Sequence, residues 1–234
     1  MSEKALPIVL IPGFMLDAAL WNDFTEACTE KREFIYADLT SGNSISEIAR
    51  NIVADLPARF ILMGFSLGGY IARAVMEQCP NRVAGMILVA TSLREDTPEQ
   101  KKNKLAAVNA MMSADFKGLS RAAITRSLHP DRADDKALIA KIRAMSIRLG
   151  AEVFRVQSGL VRSNITRTPV TCPTLIIVAR QDRLRTPEEA REIMTLIANA
   201  ELELVEECGH MIPLEKPHEL ARITKTWFGK TGLL

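Results

Sequence analysis

The chain has 234 residues, 47% of them apolar and 25% charged, which excludes disorder and supplies enough material for a sizeable globular core. Lys and Arg number 30 against 28 Asp and Glu, a formal charge of +2 that gives no overall electrostatic case for nucleic acid or an anionic membrane surface. Four cysteines, Cys28, Cys79, Cys172 and Cys208, stand far apart without a C-x-x-C pair or a His cluster at ligand spacing, so neither a disulfide framework nor a metal site is expected.

The first apolar stretch, 6–16, is interrupted by Pro7 and by Pro12-Gly13. It falls short of the roughly 18 apolar residues a membrane span needs and reads as a strand over 7–11. No targeting or membrane segment is expected, and the cytoplasm is the expected location. Further apolar, β-branched runs occupy 34–37, 60–63, 86–90, 175–179 and 202–205. Most lack period-2 alternation, which suits strands covered on both faces in a parallel sheet. Helical patterns fall between them at 45–56, 68–79, 187–197 and 217–227, two of them opening on Pro187 and Pro217. This alternation predicts an α/β fold, a doubly wound, mostly parallel sheet of about six strands.

Between 93 and 169 the alternation stops. Leu105, Val108 and Met111/Met112, then Leu138, Ile142, Met145 and Leu149, then Val153, Val156 and Leu160 repeat at three- and four-residue spacing. A helical cap over 93–169, inserted after the fourth strand, is predicted, with 1–92 and 170–234 forming the core. Residues 93–168 carry fifteen Lys and Arg, Arg167 among them, against eight Asp and Glu. Most should solvate outer helix faces. Arg121, Arg126, Arg148 and Arg155 are the candidates to turn inward and hold a substrate carboxylate.

The run at 60–63 leads into Gly64-Phe65-Ser66-Leu67-Gly68-Gly69, a G-x-S-x-G directly after a strand and directly before a helix. A serine there sits on a sharp turn with its hydroxyl above the sheet, and the flanking glycines let helix and strand approach closely. Neither G-x-G-x-x-G nor G-x-x-x-x-G-K-[ST] is present, which argues against a phosphate loop. Serine needs a base, and of three histidines His210, in a loop after the last strand, is the candidate. His129 reads as a cap loop residue and His218 as a helix first-turn residue. Asp182, just after the 175–179 strand, is the candidate to orient the base, with Glu95 or Asp96 as alternatives and Asp38 as a turn or cap residue. The backbone amides of Leu67 and of Phe14, after Pro12-Gly13, are the candidate oxyanion donors, since Pro12 has no N–H.

The order Ser66, Asp182, His210 and three stretches resemble the α/β-hydrolase superfamily, in its branch of small cap-bearing esterases, lactonases and lyases. The stretches are Pro12-Gly13-Phe14 through Trp21, the 64–69 turn, and Gly209-His210 through Pro213 to Glu215-Lys216-Pro217. Pro12 stands where the family usually has histidine, and the chain starts at what would be the family's third strand, without the antiparallel hairpin. The resemblance implies a cofactor-independent serine hydrolase acting on a small carboxylic ester or lactone through an acyl-enzyme, and the cationic excess over 93–168 adds an anionic substrate as an expectation. C–C bond hydrolysis or elimination with the same residues, and a slow-turnover ligand receptor, are the rival readings.

Overall fold

The computed structural model describes residues 5–112, 115–162 and 169–233. Its strands are β1 (Ile8–Ile11), β2 (Phe34–Tyr36), β3 (Phe60–Phe65), β4 (Val83–Val89), β5 (Thr174–Ala179) and β6 (Ala200–Val205). They form one six-stranded sheet in the order β2-β1-β3-β4-β5-β6. Every neighbouring pair is parallel. The helices are α1 (Asn22–Ala27), α2 (Ile45–Ala54), α3 (Leu67–Gln78), α4 (Pro98–Met112), α5 (Arg121–Ser127), α6 (Lys136–Gly159), α7 (Pro187–Leu196), α8 (Ile212–Glu215) and α9 (Pro217–Thr231).

Neighbouring side chains on a strand point to opposite faces of the sheet. Ile8, Leu10, Ile61, Met63, Ile87 and Val89 join one core cluster with Trp21, Phe24 of α1 and Trp227 of α9. Val9, Ile11, Leu62, Met86 and Leu88 join the other, with Ile48 of α2, Ile71 of α3 and Ile193 of α7. Both faces of the inner strands are covered, which is why β1, β3, β4 and β5 show no polar alternation, whereas the edge strand β6 alternates Glu201 and Glu203 with Leu202 and Leu204. Each fully buried large apolar side chain stabilises by about 1.5–3 kcal/mol, whereas an exposed ion pair contributes about 0–1, so the two apolar layers hold the sheet. Local signals set the ends: Ser44 caps α2, Thr186 and Glu189 form a reciprocal capping box on α7, and Gly232 closes α9 at φ 69.

Strand β1 pairs with both β2 and β3, so the chain runs outward from β1 and then returns to its other side. The loops leaving β1 and β3 therefore diverge and open a crevice at the carboxyl edge, where open α/β sheets bind ligands. Among the described residues, four non-glycine ones have positive φ, Met15, Ser66, Ala90 and Glu207, and each lies in a loop following a strand at that edge. Strained backbone is thus concentrated on the ligand side of the sheet.

Between β4 and β5 the described residues form α4, α5, α6 and a short 3-10 turn, with no strand. Ile124, Leu128, Leu138, Ile142 and Met145 bury against the sheet cluster that contains Phe65. Helices α4 and α6 run through the predicted apolar repeats, but two of those repeats do not form continuous buried faces. Leu105 on α4 is 61% exposed, so the apolar spacing of that helix does not make a buried face, and the side chains of Met111 and Met112 lie outside the described residues, as does Arg167. In the last part of α6 and just past its end the deepest residues are Gln157, 1% exposed, Ser158 and Leu160, while Val153 and Val156 are half-buried. The cause is Gly150, whose φ of 79 and ψ of 178 break the helix and re-aim its final turns. The cationic excess of this segment is met partly by acids of the rest of the chain, as in Lys141 with Asp23 at 2.8 Å and Arg148 with Asp17 at 2.8 Å.

Candidate active site

Ser66 stands between β3 and α3 at φ 52 and ψ −112, a positive-φ conformation costly for a residue with a Cβ. Its backbone is held on both sides: Ser66 N–H donates to the Val89 carbonyl at 2.9 Å, and the Thr91 hydroxyl donates to the Ser66 carbonyl at 2.7 Å. The turn is possible only because its glycines carry no side chain. A Cβ on Gly64 would lie 2.4 Å from the Gly68 carbonyl oxygen, and one on Gly69 would lie 2.4 Å from the Thr91 hydroxyl.

His210 reaches over from the loop after β6. Its Nε2 lies 2.9 Å from Ser66 Oγ and its Nδ1 lies 2.7 Å from Asp182 Oδ2. A carboxylate only accepts, so the proton sits on Nδ1 and the lone pair on Nε2 faces the serine hydroxyl. Asp182, its side chain fully buried, also accepts from the amides of Leu184 at 2.7 Å and Arg185 at 2.9 Å, so a buried charge is compensated by three donors. The His210 ring packs 5.0 Å from the ring of Phe65, and its own amide donates to the Ser127 carbonyl of α5 at 2.8 Å. Burial, and after it the Glu215 carboxylate, push the neighbouring Cys208 thiol well above its ordinary range, so it stays protonated beside the histidine loop.

The amides of Phe14 and Leu67 make no hydrogen bond to an acceptor among the described residues, and Phe14 lines the same cavity as Ser66 and His210. That cavity has a volume of about 310 Å³ and apolar walls from Leu16, Leu119, Ile124, Ile142 and Met211. Of the four candidate arginines, Arg126 lines it and has no ion-pair partner among the described residues. The other three are engaged at the surface, Arg121 with Asp134, Arg148 with Asp17 and Arg155 with Glu152. The alternative acids stand elsewhere: Glu95 is exposed, and Asp96 is bound to Lys104 and Arg162. Asp38 accepts from the amide and hydroxyl of Thr40 and is a turn residue, while His218 is exposed in the first turn of α9. His129, in the turn after α5, accepts the Asp131 amide at its Nδ1.

Two residues near the site carry contacts that their local sequence did not signal. Glu215, 8% exposed in α8, accepts the His129 amide at 2.8 Å and the Met211 amide at 3.1 Å, tying the insertion to the histidine loop. Gln157 accepts the Met15 amide at 2.8 Å. Gln157 left no trace beyond a polar residue inside an otherwise apolar pattern, which surface positions share, and Glu215, although it lies in the 209–217 stretch that carries the family resemblance, gave no sign of this contact.

A parallel sheet with a strained serine between strand and helix, facing a buried His-Asp pair at the carboxyl edge, defines the α/β class of enzymes that work through a nucleophile on a sharp turn. The chain belongs to the alpha/beta hydrolase family, whose model matches residues 8–223. It is 24% identical to the pimeloyl-[acyl-carrier protein] methyl ester esterase of Aeromonas hydrophila over 95% of each chain, and 24% identical to the esterase of the same name from Nitrosomonas europaea over 91% of each. Among solved structures it resembles a thermophilic esterase from Thermogutta terrifontis, with a TM-score of 0.82 at 22% identity, covering 97% of this chain and 91% of the other. It likewise resembles the enol-lactonase of Burkholderia xenovorans, with a TM-score of 0.82 at 19% identity and coverage of 97% and 92%.

Proposed function

We propose that the protein is a serine hydrolase of small carboxylic esters or lactones. Ser66 Oγ attacks the carbonyl carbon while its proton passes to His210 Nε2. Asp182 holds the imidazole in the required tautomer and stabilises the imidazolium that forms. Negative charge collecting on the carbonyl oxygen is met by the Phe14 and Leu67 amides. His210 then returns the proton to the leaving alkoxide, and water, activated by the same imidazole, releases the acid from Ser66. In this reading 93–169 act as a cap, of which Leu119, α5 and α6 wall the substrate cavity.

The observation that carries the proposal is the continuous hydrogen-bonded chain Asp182–His210–Ser66 beneath an apolar cavity. A cavity of about 310 Å³ lies at the small end of ligand pockets, which favours short or slender esters. Methyl esters fall in that class, in keeping with the names of the two esterase relatives. Arg126, the unpaired cation among the cavity residues, supports a substrate that carries a carboxylate or other anion away from the scissile bond. The test is a panel of short p-nitrophenyl and methyl esters with and without a distal carboxylate, assayed on the wild type and on Ser66→Ala. Turnover confined to the wild type and falling with acyl length supports the proposal, and equal turnover by a folded Ser66→Ala contradicts it.

A further inference from the structure

The residues 13–16 form a four-residue turn closed by the Leu16 amide on the Gly13 carbonyl at 3.3 Å. Its third residue, Met15, is fully buried at φ 55, a conformation that turns of this kind normally give to glycine. What separates such a turn from its alternative with negative φ at the third position is the orientation of the central peptide, here the one joining Phe14 to Met15. An L-residue prefers the alternative, so something must hold that peptide as it stands.

The hold comes from the far end of α6. Gln157 is 1% exposed and accepts the Met15 amide at 2.8 Å, across 142 residues of sequence. Three residues earlier and on the same helical face, the Phe154 ring meets the Phe14 ring edge-on at 5.5 Å. The break at Gly150 is what aims this segment at the loop, since continued straight helix would carry it elsewhere. Just before the break, Arg148 grips Asp17 at the other end of the turn through two hydrogen bonds, of 2.8 and 3.1 Å.

We propose that Gln157 is a positioning residue for the oxyanion hole: by binding the Met15 amide it fixes the strained turn that aims the Phe14 N–H into the cavity, so that the helical insertion sets the chemistry as well as the shape of the site. This rests on the serine-hydrolase reading above. Gln157 touches no reacting atom. Its effect is on the transition state, where the donor must already be in place, and little on the ground-state substrate, which the apolar walls hold.

The test compares wild type, Gln157→Leu, which keeps the volume and removes the acceptor, and Gln157→Glu, which keeps an acceptor oxygen. The readouts are kcat and KM on p-nitrophenyl butyrate and the affinity for an aliphatic trifluoromethyl ketone, which adds Ser66 Oγ across its carbonyl and places an oxyanion in the hole. Gln157→Leu is expected to lower kcat by roughly 10- to 100-fold and to weaken the ketone by a similar factor, with KM within about threefold, and Gln157→Glu is expected to recover much of both. Should Gln157→Leu fail to fold, Gln157→Met, unbranched and able to fill the same space, gives the same reading. Unchanged kcat and ketone affinity in the folded variant, or a loss carried by KM alone, overturns the inference. A wild type that neither hydrolyses the ester nor binds the ketone overturns the serine-hydrolase reading and the inference with it; a wild type that does both beside an unaffected variant overturns the inference alone.

Discussion

A Cβ on Gly68 would lie 2.2 Å from the Ile11 carbonyl oxygen and 2.5 Å from that of Pro12. The helix that follows Ser66 therefore rests directly on the backbone that leads into the Phe14 loop, and the two halves of the site are in register because nothing stands between them. Gly68→Ala forces backbone apart on both sides, at a cost of at least about 1–3 kcal/mol. The expected outcome is a lower Tm and ester turnover reduced beyond the loss of folded protein. Gly159→Ala, which meets nothing within 4 Å, is the control and should change Tm little. Thermal melts with active-site titration of both variants check this.

Asp182→Asn keeps the shape of the acid but presents an amide to His210 Nδ1, favouring the tautomer whose Nε2 cannot accept the serine proton. The expected loss in kcat is up to about 10⁴-fold with the fold retained. Arg180→Ala, which removes only an exposed pair with Glu206, should stay near wild type. Steady-state kinetics on one ester decide between them, and an Asp182→Asn variant within a few-fold of wild type would place the orienting acid elsewhere.

Glu215→Gln removes one of two accepting oxygens that bind the His129 and Met211 amides. Charge-assisted hydrogen bonds in a buried setting are worth about 1.5–3 kcal/mol, so Tm should fall by roughly 3–12 °C. Because Met211 follows His210 directly, kcat should fall as well, by a smaller factor than in Asp182→Asn. Differential scanning calorimetry and kinetics on the same sample measure both.

Much of this was readable in the sequence, for identifiable reasons. Strands buried on both faces declare themselves as unbroken apolar runs, and the 64–69 turn needs glycine at fixed offsets, so the fold and the candidate nucleophile are written locally. Asp182 was legible from its place just past a strand end. The ties of Glu215 to His129 and of Gln157 to Met15 were not, because these partners lie 86 and 142 residues away and a polar residue in a helix looks like surface. The exposed Leu105 misleads in the opposite direction: helical spacing of apolar residues shows that a face exists, and only the tertiary structure shows whether anything covers it.

Arg126→Ala should raise KM for an ester bearing a distal carboxylate by about two- to fivefold and leave its neutral counterpart unchanged, since an exposed charge contributes about 0.2–1 kcal/mol. High salt should reproduce the effect in the wild type. Matched ester pairs at low and high ionic strength give the readout, and equal KM shifts for the neutral and anionic esters would assign Arg126 to surface solvation.

The central claim is that the reaction passes through an ester of Ser66. The most direct measurement is mass spectrometry of the protein acid-quenched during turnover of p-nitrophenyl butyrate, followed by peptide mapping. A butyryl adduct is expected on the peptide containing Ser66, accumulating in Asp182→Asn or His210→Ala only slowly and absent from Ser66→Ala. Turnover by the wild type with no adduct at Ser66, or with an adduct on another residue that rises and falls with the reaction, would contradict it.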